Sequence, residues 1–299
     1  MTVQIEQESN THLEEELNPP NRRQALVDFM IVGAQKCGTT TLAAQLAAHP
    51  DVCFCKEKEP GFFNSHVDWE DKLDEYHSLY TPANGQICGE ASTMYTFFPE
   101  VVDVHERLYR YNPALKLIYI MRNPVERAVS LYAHNVVRNI EKSAPEQAIF
   151  KDPTYLNRSR YGMQIQPFIE LFGRENVLLL VFEEYIADQN SALAQVADFL
   201  NISVNGFNNQ DDSHNHKSVG VPYLKYEFVR QITSTDLFQS LRTYVPQNIR
   251  YSLRSYVSNT LEEKPEFSPP LRQAMRRFVD DDINAIERLL ERKIPAWQR

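Results

Sequence analysis

Apolar positions along the chain follow two rhythms. Short apolar runs at Phe29-Met30-Ile31-Val32, Leu115 to Met121 and Val177 to Phe182 have the length of buried strands. Helix-favouring stretches follow them: Thr40 to Ala48, Val125 to about Asn139, and the region around Ser191 to Leu200, with a further helix predicted over Gln164 to Phe172. Pro124 falls where a first helical turn tolerates proline. In the last third, which reads as mainly helical, Leu271, Met275, Phe278, Val279, Ile283, Ile286 and Leu290 keep one face of a helix beginning after Ser268-Pro269-Pro270. Such a stripe reads as core. Strands alternating with helices predict an α/β fold: a mainly parallel central sheet, helices on both faces and a helical C-terminal part.

Residues 1–24 stand outside this pattern. They are rich in Glu, Gln and Asn, carry the acidic run Glu14 to Glu16 and include Pro19-Pro20, so they read as a flexible acidic arm before a single domain over 25–299. The 31 basic and 40 acidic residues give a net charge of -9. That balance argues against nucleic acid or another extended polyanion as a partner without a local basic groove. No apolar run approaches the roughly 18 residues of a membrane span, and the first residues lack the apolar core of a signal peptide. A cytoplasmic protein with no transmembrane segment is expected. Cys37, Cys53, Cys55 and Cys88 form no disulfide framework, and the pair Cys53 and Cys55 lacks a second pair to complete a metal site, so reduced thiols are expected.

The segment that carries chemistry is Gly33-Ala-Gln35-Lys36-Cys37-Gly38-Thr39-Thr40-Thr41. It lies between a predicted strand and a predicted helix, where backbone N–H groups and the helix dipole favour an anion. The spacing is that of the nucleotide P-loop, but Thr39 follows the second glycine where that motif needs lysine, and the lysine has moved inward to Lys36. The plain alternative is a helix start with threonine caps and a solvated lysine.

The string Ile31 to Leu42 closely resembles the 5'-phosphosulfate loop of sulfotransferases that use 3'-phosphoadenosine 5'-phosphosulfate (PAPS), especially the heparan sulfate and bacterial branch. Ile120-Met-Arg122 through Ser130-Leu-Tyr is similar to that family's 3'-phosphate motif. Lys58-Glu59-Pro60-Gly-Phe62-Phe63 resembles its segment with a catalytic glutamate, and Arg158-Ser-Arg-Tyr161 also matches. The resemblance spans roughly Asp28 to Pro222 and implies a P-loop-like three-layer sandwich with no obligatory metal. It further implies sulfuryl transfer from PAPS to a hydroxyl or amine of a carbohydrate, lipid or small natural-product acceptor. Two places depart from the family pattern. Ala91 follows Glu90 where many members carry lysine, and the loop Lys217-Ser218-Val-Gly-Val-Pro222 lacks the glycine and arginine usual after its lysine. Ala91 and the acidic balance lean against a heparan-like polymer.

The resemblance assigns Lys36 to the bridging and terminal sulfate oxygens. It gives the 5'-phosphate to the N–H groups of Lys36 to Thr40 with the Thr39 and Thr40 hydroxyls, Gly33, Gln35, Cys37, Gly38 and Thr41 completing the loop. Arg122 forks onto the 3'-phosphate and Ser130 adds a hydroxyl; a pair between Arg122 and Glu126 is the alternative. Glu59 is the expected base, with Glu57 as rival and a plain surface charge as the alternative. It is expected to be extended before Pro60, with Phe62 and Phe63 drying it and raising its pKa. His134, four residues after Ser130, shares its helix face and is a second acid or base or a structural histidine. Tyr161, Lys217 and Ser218 are expected on the cofactor. His214 and His216 beside Asp211 and Asp212 are weak evidence for a metal, and none is expected. Two other classes stay open. A P-loop nucleotide kinase would need the missing lysine and Mg²⁺, and a non-catalytic nucleotide-binding protein would need no base.

Overall fold

The computed structural model describes residues 26–207, 223–224, 258–259 and 265–298. The expected arm at 1–24, His214, His216, Lys217 and Ser218 lie outside the described residues. In chain order the elements are β1 (Phe29–Gly33), α1 (Thr39–Ala47), β2 (Val52–Phe54), α2 (Phe62–Ser65), α3 (Leu73–His77), β3 (Ile87–Ala91), α4 (Val104–Tyr111) and β4 (Lys116–Met121). They continue with α5 (Pro124–Val137), α6 (Pro145–Lys151), α7 (Thr154–Asn157), α8 (Tyr161–Phe172), β5 (Val177–Val181), α9 (Phe182–Ala187) and α10 (Gln189–Leu200). A short antiparallel pair, β6 (Tyr223–Leu224) and β7 (Ser258–Asn259), precedes α11 (Pro269–Leu289).

Contacts divide the chain into one unit of residues 1–121 and 161–210 and another of 122–160 and 211–299. The first unit holds a five-stranded sheet in the order β2-β3-β1-β4-β5, and every pairing in it is parallel. Successive strand residues point to opposite faces, and all five residues of β1 are buried, as are five of the six in β4. Both faces are therefore covered, the condition under which all-parallel sheets occur. The predicted α/β layering is observed. β2 and β3 escaped the hydrophobic pattern because β2 has three residues and β3 carries a glycine and a glutamate inside it.

In the second unit α5 starts as its sequence suggests. The Asn123 side chain accepts from the N–H groups of Val125 at 3.1 Å and Glu126 at 3.2 Å, with Pro124 in the first turn. Val125, Val129, Tyr132, Leu271 and Met275 belong to one buried cluster that joins α5 to α11. Arg127 is wholly buried in α5. Its Nε donates to Ser159 Oγ at 2.5 Å, another guanidinium nitrogen donates to the Tyr155 carbonyl, and Ser159 Oγ donates to the Pro124 carbonyl at 2.8 Å. The stripe on α11 needs one correction: Leu271, Met275, Val279, Ile283 and Ile286 are buried, but Phe278 is 51% exposed. Phe278 sits on the flank of the stripe, where the Arg160 guanidinium lies 5.7 Å from its ring.

Candidate functional site

Parallel strands bring their C-terminal ends to one edge, and ligands of open α/β sheets bind outside that edge. Three segments of the first unit leave there: Gly33 to Gly38 after β1, the run containing Glu59 after β2, and a tight 3-10 turn, Thr93–Thr96, after β3.

The β1 loop is held by close packing. A Cβ on Gly33 would lie 2.4 Å from Thr96 Oγ1 and 2.5 Å from the Tyr119 ring, so only glycine fits. The Ala34 N–H donates to the Ile120 carbonyl at 2.8 Å, and Thr96 Oγ1 donates to the Val32 carbonyl at 2.8 Å. Lys36 (φ 70) and Gly38 (φ 90), one residue apart, both take the left-handed conformation. Such alternation curls backbone N–H groups toward one point, the geometry of an anion nest. Gly38 is required twice, because a side chain there would be strained and its Cβ would meet the Phe182 ring at 2.8 Å.

Two expectations for this loop change. The N-cap of α1 is Gly38 and makes no side-chain cap hydrogen bond, so the threonines are not caps. The Cys37 N–H donates to the Ala34 carbonyl at 3.2 Å and closes the turn, so it leaves the set of amides expected to hold a phosphate. Thr39 is buried, Gln35, Lys36 and Thr41 are half-buried, and Thr40 is exposed. Tyr161, at the start of α8, is 1% exposed. Its hydroxyl lies 3.6 Å from Cys37 Sγ and its ring packs on Tyr119, so it supports the loop from inside.

Glu59 is half-buried and its Oε2 accepts from Thr93 Oγ1 at 3.4 Å. It is not extended. Its φ is 52, and Gly61 after Pro60 is also left-handed at φ 56. The clash with the proline ring closes the right-handed helical region to Glu59, and the Gly61 N–H is drawn onto Ser92 Oγ at 2.9 Å. Phe62 and Phe63 are buried in an aromatic cluster. Phe62 stacks on Tyr76 at 4.4 Å, and Phe63 packs on Trp69 and Tyr111. Glu57 is exposed.

Sequence reasoning passed over Glu90, a carboxyl at this sheet edge whose pKa is raised. It is wholly buried. Its Oε1 accepts from Tyr95 at 2.8 Å and Tyr76 at 3.0 Å, and its Oε2 from Ser92 Oγ at 3.0 Å. Burial pushes its pKa up to about 7 against those three hydrogen bonds, with the Glu57 charge adding to the rise. The available signal was a charged residue inside a strand, between Gly89 and Ala91.

The remaining candidates stand in the second unit. Arg122 directly follows β4 and is half-buried, as are Ser130 and His134 on α5. Glu126, the alternative partner for Arg122, accepts from Arg272 at 2.6 Å through its Oε1. Arg138 approaches His134 Nε2 at 3.4 Å. A guanidinium only donates, which makes that nitrogen the acceptor in this contact. No group of His, Cys, Asp and Glu suited to a metal occurs among the described residues.

Among known proteins, the membrane-associated sulfotransferase kil1 of Dictyostelium discoideum is 34% identical over 116 residues, 37% of this chain and 23% of that protein. Heparan sulfate glucosamine 3-O-sulfotransferase 6 of Homo sapiens is 30% identical over 192 residues, 61% of this chain and 54% of that protein. This chain thus spans about a quarter to about half of those relatives. The crystal structure of a sulfotransferase from Alicyclobacillus acidocaldarius superposes with a TM-score of 0.64 at 26% identity, covering 93% of this chain and 100% of that one. Residues 26–219 match the family described as the sulfotransferase domain. That stretch carries the Gly33 loop, Glu59, Glu90 and the Arg122 segment, and the chain belongs to the sulfotransferase domain family.

Proposed function

We propose that this chain transfers a sulfuryl group from PAPS to a hydroxyl or amine of a carbohydrate, lipid or small natural-product acceptor. The observation that carries this reading is the loop before α1: left-handed Lys36 and Gly38 curl amides toward one point, and the lysine stands inside the turn instead of after the second glycine. The cradle suits a 5'-phosphate, and Lys36 is the cation beside the group attached to it.

When bound, PAPS supplies the sulfuryl group and an anionic leaving group. The amides at the start of α1 and the Thr39 and Thr40 hydroxyls hold the phosphate end, and Lys36 offsets charge that grows on the leaving oxygen. The family motif assigns Arg122 and Ser130 to the 3'-phosphate. Glu59, at the same sheet edge as the loop, takes the acceptor proton. None of these roles calls for a metal.

The human relative is named for a glucosamine hydroxyl of heparan sulfate, which puts a sugar hydroxyl first among acceptors here. The net charge of -9 and Ala91 at the strand end favour a sugar of low charge over a highly sulfated chain. A cytoplasmic setting belongs to the same proposal, supported by four free cysteines. The test is incubation with radiolabelled PAPS and a panel of sugars, lipids and cell extract. Label on an acceptor with release of 3',5'-ADP is expected. No label, together with no rise in melting temperature from 3',5'-ADP, overturns the proposal.

A further inference from the structure

Glu90 and Ser92 are 0% exposed, and the chemistry above uses neither. Yet their hydrogen bonds run to the turn that bears Glu59. Tyr80 donates to the Tyr76 hydroxyl at 3.1 Å, and Tyr76 and Tyr95 donate to Glu90 Oε1. The Ser92 hydroxyl has one proton, and it goes to Glu90 Oε2 at 3.0 Å. A lone pair of Ser92 Oγ is left facing the Gly61 N–H, which donates to it at 2.9 Å. Proline has no N–H, so Gly61 carries the first backbone donor after Glu59. Thr93, next in the chain after Ser92, reaches Glu59 Oε2 itself at 3.4 Å.

We propose that Glu90 is a positioning residue for Glu59: it sets the direction of the Ser92 hydroxyl, which holds the Gly61 amide and with it the turn over Glu59, Pro60 and Gly61, left-handed at Glu59 and Gly61. The inference rests on the reading of Glu59 as the base. Above its pKa of about 7 the Glu90 carboxylate accepts only, which matches the three donors converging on it. Glu90→Gln keeps one acceptor oxygen for Tyr76 and Tyr95 and turns an NH2 donor toward Ser92, so the Ser92 hydroxyl must rotate and the Gly61 amide loses its fixed partner. A left-handed glutamate before proline is a strained conformation that persists only where its surroundings hold it.

The variants are Ser92→Ala, Ser92→Thr and Glu90→Gln in the full chain, with circular-dichroism melts to check folding. Ser92→Ala removes a single oxygen, so it introduces no clash. Ser92→Ala and Glu90→Gln are expected to lower kcat about 10-fold or more, as displaced catalytic groups do, with the KM for PAPS and the affinity for 3',5'-ADP nearly unchanged. The Gly61 amide should lose protection from hydrogen exchange in both variants. Ser92→Thr, which keeps the hydroxyl, should restore both readouts. A wild-type chain that transfers no sulfuryl group defeats the proposed function, and full turnover by Glu59→Gln defeats the reading of Glu59 as base; either leaves Glu90 nothing to position. An active wild type whose Ser92→Ala and Glu90→Gln variants keep kcat and Gly61 protection defeats the positioning role alone.

Discussion

Lys36 adopts φ 70, a conformation that costs a residue with a Cβ roughly 1–2 kcal/mol. Strain of this kind persists where function requires the geometry. Lys36→Gly should therefore make the protein more stable by about 1 kcal/mol and at the same time lower kcat by about 10²–10³, the usual loss when one charge-stabilising donor is removed. Urea unfolding and single-turnover transfer measure the two effects, and a stable, fully active variant would refute the assignment. Glu90 gives a second prediction at this scale. Its folded pKa of about 7 lies above the ordinary 4.5, so between those values the folded chain keeps a proton that the unfolded chain releases. Its contribution is thus complete below about pH 4.5 and is lost as pH rises through about 7, with a slope of up to about 1.4 kcal/mol per pH unit. Glu90→Gln should flatten that slope in urea unfolding across the window; parallel curves for the two proteins would contradict it.

At the scale of elements, the start of α5 was legible. Pro124 is a local signal and stands in the first turn as expected, and the Asn123 side chain caps that turn with two hydrogen bonds. Asn123→Ala should cost about 1 kcal/mol, seen as a lower urea midpoint with an unchanged denaturant slope. The Glu59 turn was not legible. Pro60 correctly bars the right-handed helical region to its predecessor, but the choice between extended and left-handed is made by Ser92, 31 positions from Gly61 along the chain. Nor was the fate of Phe62 and Phe63. Their partners Trp69, Tyr76 and Tyr111 come from later elements that no local pattern pairs with them.

For the whole molecule, the proposed donor is also a stabiliser. The product 3',5'-ADP at about a hundredfold excess over its Kd should add about 2.7 kcal/mol to the folded state and raise the melting temperature by several degrees. EDTA should leave both that shift and the transfer rate unchanged. A shift that depends on added Mg²⁺ would favour the kinase alternative. Calorimetry with and without chelator separates the two.

What the sequence determined by itself is what nearest neighbours decide: the apolar runs of β1, β4 and β5, the proline in the first turn of α5, and the glycine-bounded loop between β1 and α1. Such features need only backbone sterics and the period of the side chains. The tertiary structure alone decided the strand order β2-β3-β1-β4-β5, the exposure of Phe278 and the burial of Glu90 beneath the turn that carries Glu59. Those outcomes come from groups brought together across long stretches of chain. Burial and hydrogen-bond direction, which set the charge of a carboxyl, exist only once the chain has folded.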